Sequence, residues 1–279
     1  MTSMILLKDE LLPSQEAHIS YQDRGYYFGD GIYEVFRVYN GRLYETDAHM
    51  ERLFRSAKEV ALKLPYTAEE IREQVRKLCE ANHLQTGIVY LQFTRGEAPR
   101  SHLFPENAVP VMMGFTQELP RPADQMDRGI TAITLPDIRW LRCDIKSLNL
   151  LPNTMAKQKA RDSGCDDAIF HRDGIVTECS SSNIMIVKNG VLRTHPATQR
   201  ILHGVTRAVV LRLAHQLNLP VQERAFTLEE LAEADEVFIT GTTAEVTPVI
   251  AIDGRPVAGG KPGPVTRRLQ QAFEQTIPV

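Results

Sequence analysis

The period of the apolar and polar pattern changes several times along this chain of 279 residues. "GIYEVFRVYNGRLYE" (31–45) carries two β-rich runs around Asn40-Gly41, a pair that a tight hairpin turn favours. "DAHMERLFRSAKEVALKL" then switches to helical spacing. Met50, Leu53, Phe54, Ala57, Val60 and Ala61 recur on one face, with Asp47 placed as an N-cap. At Thr67, "TAEE" fits a capping box and opens a second helix with Ile71, Val75 and Leu78 on one face. "IVYLQFT" (88–94) reads as a strand that runs into the polar loop "RGEAPRSH". "QELPRPADQ" (117–125), rich in proline and charge, reads as a linker, which predicts domains over 1–119 and 120–279.

The second half repeats the mixture. A strand is expected over 129–136, and a short helix over 153–163 that Gly164 stops. Hairpins are expected to turn at Asp173-Gly174 and Asn189-Gly190. The helix predicted over 205–218 faces Val209, Val210, Leu213 and Leu217 inward. Thr227 to Glu230 is another capping box, and 236–254 alternates like strands around a Gly/Thr-rich turn. The pattern predicts an α/β (α+β) chain of two domains, with a cleft of the kind that commonly holds a cofactor.

Composition narrows the class. Hydrophobic content of 43% and charged content of 24% are ordinary for a soluble globular protein, and a net charge of −3 argues against a nucleic-acid partner. "MTSMILLKDELLPSQ" lacks the basic start and apolar run of a signal peptide, and no apolar stretch approaches a membrane span. Four cysteines without a C-x-x-C pair then imply a cytoplasmic protein with reduced thiols. The eight histidines form no close ligand pair, so no metal is expected.

Four local patterns bear on chemistry. "HGVTRAVV" (203–210) opens a helix whose free N–H groups and Thr206 hydroxyl suit a phosphate; its plain alternative is an ordinary helix start. "TGTTAE" (240–245) offers a second donor-rich turn, and "TECSSSN" (177–183) ends a strand in Glu178 before a run of serines. "RGEAPRSH" (95–102) gathers Arg95, Arg100 and His102, either a carboxylate clamp or a solvated basic loop. Together with a lysine amine these are the parts of a pyridoxal phosphate enzyme. Spacing alone does not choose which lysine or which acid.

The segments "YQDRGYYFGDGIYEV", "TRGEAPRSHLFPEN", "DIRWLRCDIKSLNLL", "TECSSSN" and "TTAEVTPV" resemble, in order and over nearly the whole chain, the fold-type IV pyridoxal phosphate aminotransferases. The resemblance implies a smaller N-terminal α/β domain, a larger C-terminal domain with a pseudo-barrel, and pyridoxal 5'-phosphate in the interdomain cleft. It makes Lys146 the catalytic Schiff-base lysine and proton carrier, and Glu178 the partner of the pyridine nitrogen. Arg52, Val205, Thr206 and Thr242 become phosphate ligands, Leu202 packs on the cofactor ring, and Ser181 and Ser182 line its other side. Tyr33, Arg100 and His102 match the family's trap for the substrate α-carboxylate. Because the family supplies Arg100 and His102 from the partner subunit, a homodimer is implied.

The arginine–histidine pair belongs to the D-specific branch. The expected reaction is therefore transamination between a D-amino acid such as D-alanine and a 2-oxo acid such as 2-oxoglutarate or pyruvate. The alternatives are a branched-chain L-amino-acid aminotransferase and a lyase of the aminodeoxychorismate type. Cys179 stands where relatives often carry glycine, and "LLPNTMAKQ" (150–158) is similar to the branched-chain branch.

Overall fold

The computed structural model describes residues 3–279. Its elements fall into two units. One comprises the chain up to Pro120 with Ile145–Asn149 and Pro278–Val279; the other comprises Arg121–Asp144 and Leu150–Ile277. The first break thus lies one residue beyond the linker boundary read from sequence. The strip Ile145–Asn149, which a single cut at 119/120 assigns to the second domain, packs with the first unit.

The first unit runs β1 (Met4–Leu7), β2 (Glu10–Pro13), α1 (Arg24–Phe28), β3 (Gly31–Tyr39), β4 (Arg42–Leu43), α2 (Thr46–Glu59), α3 (Ala68–Ala81), β5 (Gly87–Thr94) and β6 (Val111–Glu118). Its strands form an antiparallel sheet in the order β2-β1-β6-β5-β3-β4. The β3–β4 hairpin turns at Asn40 and Gly41, whose φ values of 49° and 72° are those a two-residue turn of this hand requires. Ile32, Phe36 and Val38 of β3 join Met50, Leu53 and Ala57 of α2 and Ile71, Val75 and Leu78 of α3 in one buried cluster. Each large apolar side chain in it contributes about 1.5–3 kcal/mol.

Thr67 and Glu70 form both bonds of the predicted capping box. Asp47 is not the N-cap of α2: Glu45 is, in the left-handed conformation and without a side-chain cap. Asp47 lies in the first turn, where its charge complements the helix dipole and accepts a hydrogen bond from Arg72 Nη2 at 2.5 Å. The helix also stops at Glu59, short of the expected run, because Ala61 turns to a φ of 49° and Leu62 N bonds back to Ala57 O.

The second unit runs α4 (Ala123–Arg128), β7 (Ile130–Pro136), α5 (Leu151–Asp162), β8 (Asp167–Arg172), β9 (Ile175–Cys179), β10 (Asn183–Lys188), β11 (Val191–Thr194), α6 (Val205–Gln216), β12 (Val221–Glu223), α7 (Leu228–Ala232), β13 (Glu236–Gly241), β14 (Glu245–Ile252), β15 (Arg255–Pro256) and α8 (Pro264–Glu274). Its mixed sheet has the order β12-β11-β10-β13-β14-β7-β8-β9, with β15 on β14. Both predicted hairpin turns form, with positive φ at Asp173, Gly174, Asn189 and Gly190. Ala156 and Ala160 of α5 pack on Ala168 and Phe170. On α6, Val209, Val210 and Leu213 are buried, whereas Leu217 is the half-buried C-cap. Among the described residues no helix is long and apolar enough to cross a membrane.

Candidate active site

In the first unit, Lys146 lies on a strip held along the start of β3. Tyr33 N donates to Lys146 O at 2.9 Å, Leu148 N donates to Gly31 O at 3.1 Å, and Ile32 bridges Ser147. Lys146 N donates to the buried Ser56 Oγ of α2 at 3.2 Å. The backbone of the lysine is thus fixed on both sides, and its Nζ sits 4.1 Å from the centroid of the Tyr33 ring. That ring stacks on Tyr90, which stacks on Phe115. The strip presents a half-buried amine against an aromatic wall.

Strand alternation puts Glu34 on the inward face of β3 with Ile32 and Phe36, where a carboxylate needs a partner. Arg52 of α2 supplies it with a two-pronged bond: Nε to Oε2 at 2.9 Å and Nη2 to Oε1 at 2.6 Å. His49 Nδ1 lies 3.0 Å from Oε1. Burial alone would raise the Glu34 carboxyl, but the charges of Arg52 and His49 outweigh it and hold the group well below its ordinary value. His49 is pushed down, chiefly by burial. Arg52 is therefore a fixed cation of known direction, as a phosphate ligand must be.

The structure brings Arg100 and His102 together. The Arg100 guanidinium lies 5.2 Å and the His102 ring 5.5 Å from the centre of the same ring, Phe28. Both side chains are exposed. Among the described residues no hydrogen bond or ring contact joins either of them to Tyr33, which sits with Lys146.

In the second unit, Glu178 is buried near the end of β9. Arg139 Nη1 donates to its Oε1 at 2.5 Å, while Asn183 Nδ2 and Leu202 N donate to Oε2 at 2.9 and 3.0 Å. Arg139 is held in turn by Asp137. Burial still pushes the Glu178 carboxyl above its ordinary value, with Arg139 opposing. The serine turn after β9 meets the turn after β13: a Cβ added at Gly241 would lie 3.4 Å from Ser182 Cβ. The buried hydroxyls Ser182 Oγ and Thr240 Oγ1 have no partner among the described residues. Helix α6 starts at Gly204 with no side-chain cap and no acid in its first turn, and Val205 and Thr206 are buried there.

These features fit pyridoxal phosphate. A protonated ring nitrogen would offset the cost of the buried Glu178 charge. Within the second unit, the start of α6 and Thr206 suit a phosphate. Leu202 N is tied to the same carboxylate, and its half-buried side chain is available to a ring. Thr242 is half-buried and Ser181 exposed at the two adjoining turns.

Residues 31–252 match the family model for amino-transferase class IV. The chain belongs to the class IV aminotransferases. A D-alanine aminotransferase of Staphylococcus aureus is 50% identical to it over 274 residues, covering 98% of this chain and 97% of that one. The Escherichia coli branched-chain amino acid aminotransferase superposes with a TM-score of 0.93 at 27% identity, over 99% of this chain and 95% of that chain. A second branched-chain amino acid aminotransferase, from T.th. and solved with pyridoxamine 5'-phosphate, gives 0.92, also at 27% identity and the same coverage. The two-unit mixed architecture, with its curled sheet, is the fold of these aminotransferases. In this class IV aminotransferase the sequence pattern did not mark Glu34, Arg139 or Asn183, each of which fixes a candidate ligand. Glu34 had a signal, as the one charge on the face of β3 that carries Ile32, Phe36 and Val38. Asn183 had none.

Proposed function

We propose that this aminotransferase moves an amino group from a D-amino acid such as D-alanine to a 2-oxo acid such as 2-oxoglutarate or pyruvate, with pyridoxal 5'-phosphate as cofactor. The observation that carries it is 50% identity to a D-alanine aminotransferase along 98% of the chain, against 24% to 31% for branched-chain enzymes of the same fold. When bound, the cofactor supplies an electron sink for the bonds at the substrate Cα.

The chain supplies the rest. Lys146 Nζ takes the proton from Cα as a general base and returns it as a general acid, and its fixed backbone and the Tyr33 ring limit where that amine can point. Glu178, bonded by Arg139, Asn183 and Leu202, keeps the proton on the pyridine nitrogen. Arg52, Val205, Thr206 and Thr242 hold the phosphate, Leu202 packs on the ring, and Ser181 and Ser182 line its other side. Tyr33, Arg100 and His102 bind the α-carboxylate. The position of that trap relative to Lys146 decides which enantiomer presents its hydrogen to the amine.

The protein acts as a homodimer in which Arg100 and His102 serve the partner's site. Their exposure, the lack of a hydrogen bond or ring contact from either to Tyr33 among the described residues, and the exposed Leu103 and Phe104 beside them support this. The four cysteines are free, in keeping with a cytoplasmic enzyme. The test is to follow pyruvate formed from D-alanine with and without 2-oxoglutarate. Pyruvate should accumulate beyond one equivalent per subunit only with the acceptor present. Pyruvate that stops at one equivalent per subunit even with 2-oxoglutarate present would contradict transfer to the acceptor.

A further inference from the structure

Arg24 is the first residue of α1 and is 2% exposed. Its Nη1 donates to Ser101 O at 2.6 Å, and its Nε donates to Asp30 Oδ2 at 2.8 Å. Ser101 is the residue between Arg100 and His102. The guanidinium of Arg24 also lies 4.8 Å from the centre of the Phe28 ring. Arg100 and His102 contact that same ring, at 5.2 and 5.5 Å. One ring therefore touches both trap side chains, and one buried guanidinium holds the peptide that joins them.

The loop is fastened at its base as well. Asp30 accepts from Arg95 Nε at 2.9 Å, and the other Arg95 nitrogens donate to Ala61 O and Val60 O at 3.0 and 2.7 Å. Arg95 N donates to Asp30 O at 3.0 Å, and Arg24 N donates to Gly96 O at 2.9 Å. The two arginines share one carboxylate, and the loop is anchored at both its base and its middle.

We infer that Arg24 and Phe28 are positioning residues for recognition of the substrate carboxylate. The inference rests on the proposed role of Arg100 and His102. Two exposed side chains on a free loop would sample many directions, and ordering them would weaken substrate binding. The Phe28 face restricts both, and Arg24 restricts the backbone that carries them. A lysine at position 24 can keep the ion pair with Asp30 but lacks the fork that reaches Ser101 O at the same time.

The test measures the D-alanine KM and kcat for Arg24→Lys and Phe28→Leu, each alone and added to an Arg100→Ala/His102→Ala double variant, with 2-oxoglutarate in excess. Each single variant should raise the D-alanine KM about tenfold while kcat stays within about twofold of the parent. The visible absorbance of the cofactor-loaded protein should not change. Added to the Arg100→Ala/His102→Ala double variant, neither should raise KM further. If Arg24→Lys does not fold, Phe28→Leu decides alone. A parental KM in Phe28→Leu, where Arg100→Ala raises it, overturns the positioning role and leaves the trap intact. A KM rise that persists in the Arg100→Ala/His102→Ala background also overturns it, since the effect then does not act through the trap. A parental KM in Arg100→Ala itself overturns the trap, and the positioning role with it.

Discussion

At the scale of single residues, Lys146 carries the proposed proton transfer. Lys146→Ala should remove transamination and the visible absorbance of the cofactor-loaded protein while leaving thermal unfolding within a few degrees of the parent. Retained turnover would assign the chemistry to another amine. The alternating pattern around residue 146 did not single this lysine out; its family resemblance did, and the structure adds the backbone bonds that fix it. Glu34 was legible only as an exception to its strand. Glu34→Gln leaves Arg52 without its counter-charge and should cost about 3 kcal/mol at pH 7. The folded pKa of Glu34 lies below its ordinary 4.5, so its stabilisation is complete above that value and lost as pH falls beneath it. Urea unfolding at pH 7 and pH 4 should therefore show a gap between parent and variant that narrows at the lower pH. A gap independent of pH would deny Glu34 this role.

At the scale of elements, the legible parts were those that local chemistry decides. Asn40-Gly41, Asp173-Gly174 and Asn189-Gly190 turn where positive φ is easiest to adopt, and the Thr67 and Thr227 boxes cap their helices. Pairing over long separations left weaker traces. The short strands β1 and β2 pair with each other and enter the sheet where β1 joins β6, and no local run announces them. The start of α6 joins local and distant needs. A Cβ at Gly204 would fall 2.0 Å from Asn183 Oδ1, and the Asn183 amide binds both Glu178 and Leu202 O. Gly204→Ala should therefore loosen cofactor binding at least about tenfold through Glu178 and the helix start together. Titrating the apoprotein with pyridoxal 5'-phosphate by absorbance would measure this, and an unchanged affinity would separate α6 from the cofactor.

At the scale of the whole molecule, the fold class and cofactor were readable because five separated motifs keep their family order. The domain division was less so: Ile145–Asn149 packs with a unit from which it is distant in sequence, and a linear reading can only cut the chain once. Partnership is tested by mixing a subunit without Lys146 and one without Arg100. D-Alanine is kept near the parental KM, where the Arg100→Ala protein alone turns over little. Lys146→Ala and Arg100→Ala chains, refolded together, should recover about a quarter of parental activity, since half of the dimers would hold one complete site. No recovery would place Arg100 in its own subunit's site. The most direct measurement of the central claim is a comparison of donors. The cofactor-loaded protein is incubated with 2-oxoglutarate and either D-alanine or L-leucine, and loss of each donor is followed by chiral chromatography. D-Alanine should be consumed with matching formation of pyruvate while L-leucine persists; consumption of L-leucine with D-alanine untouched would contradict the account.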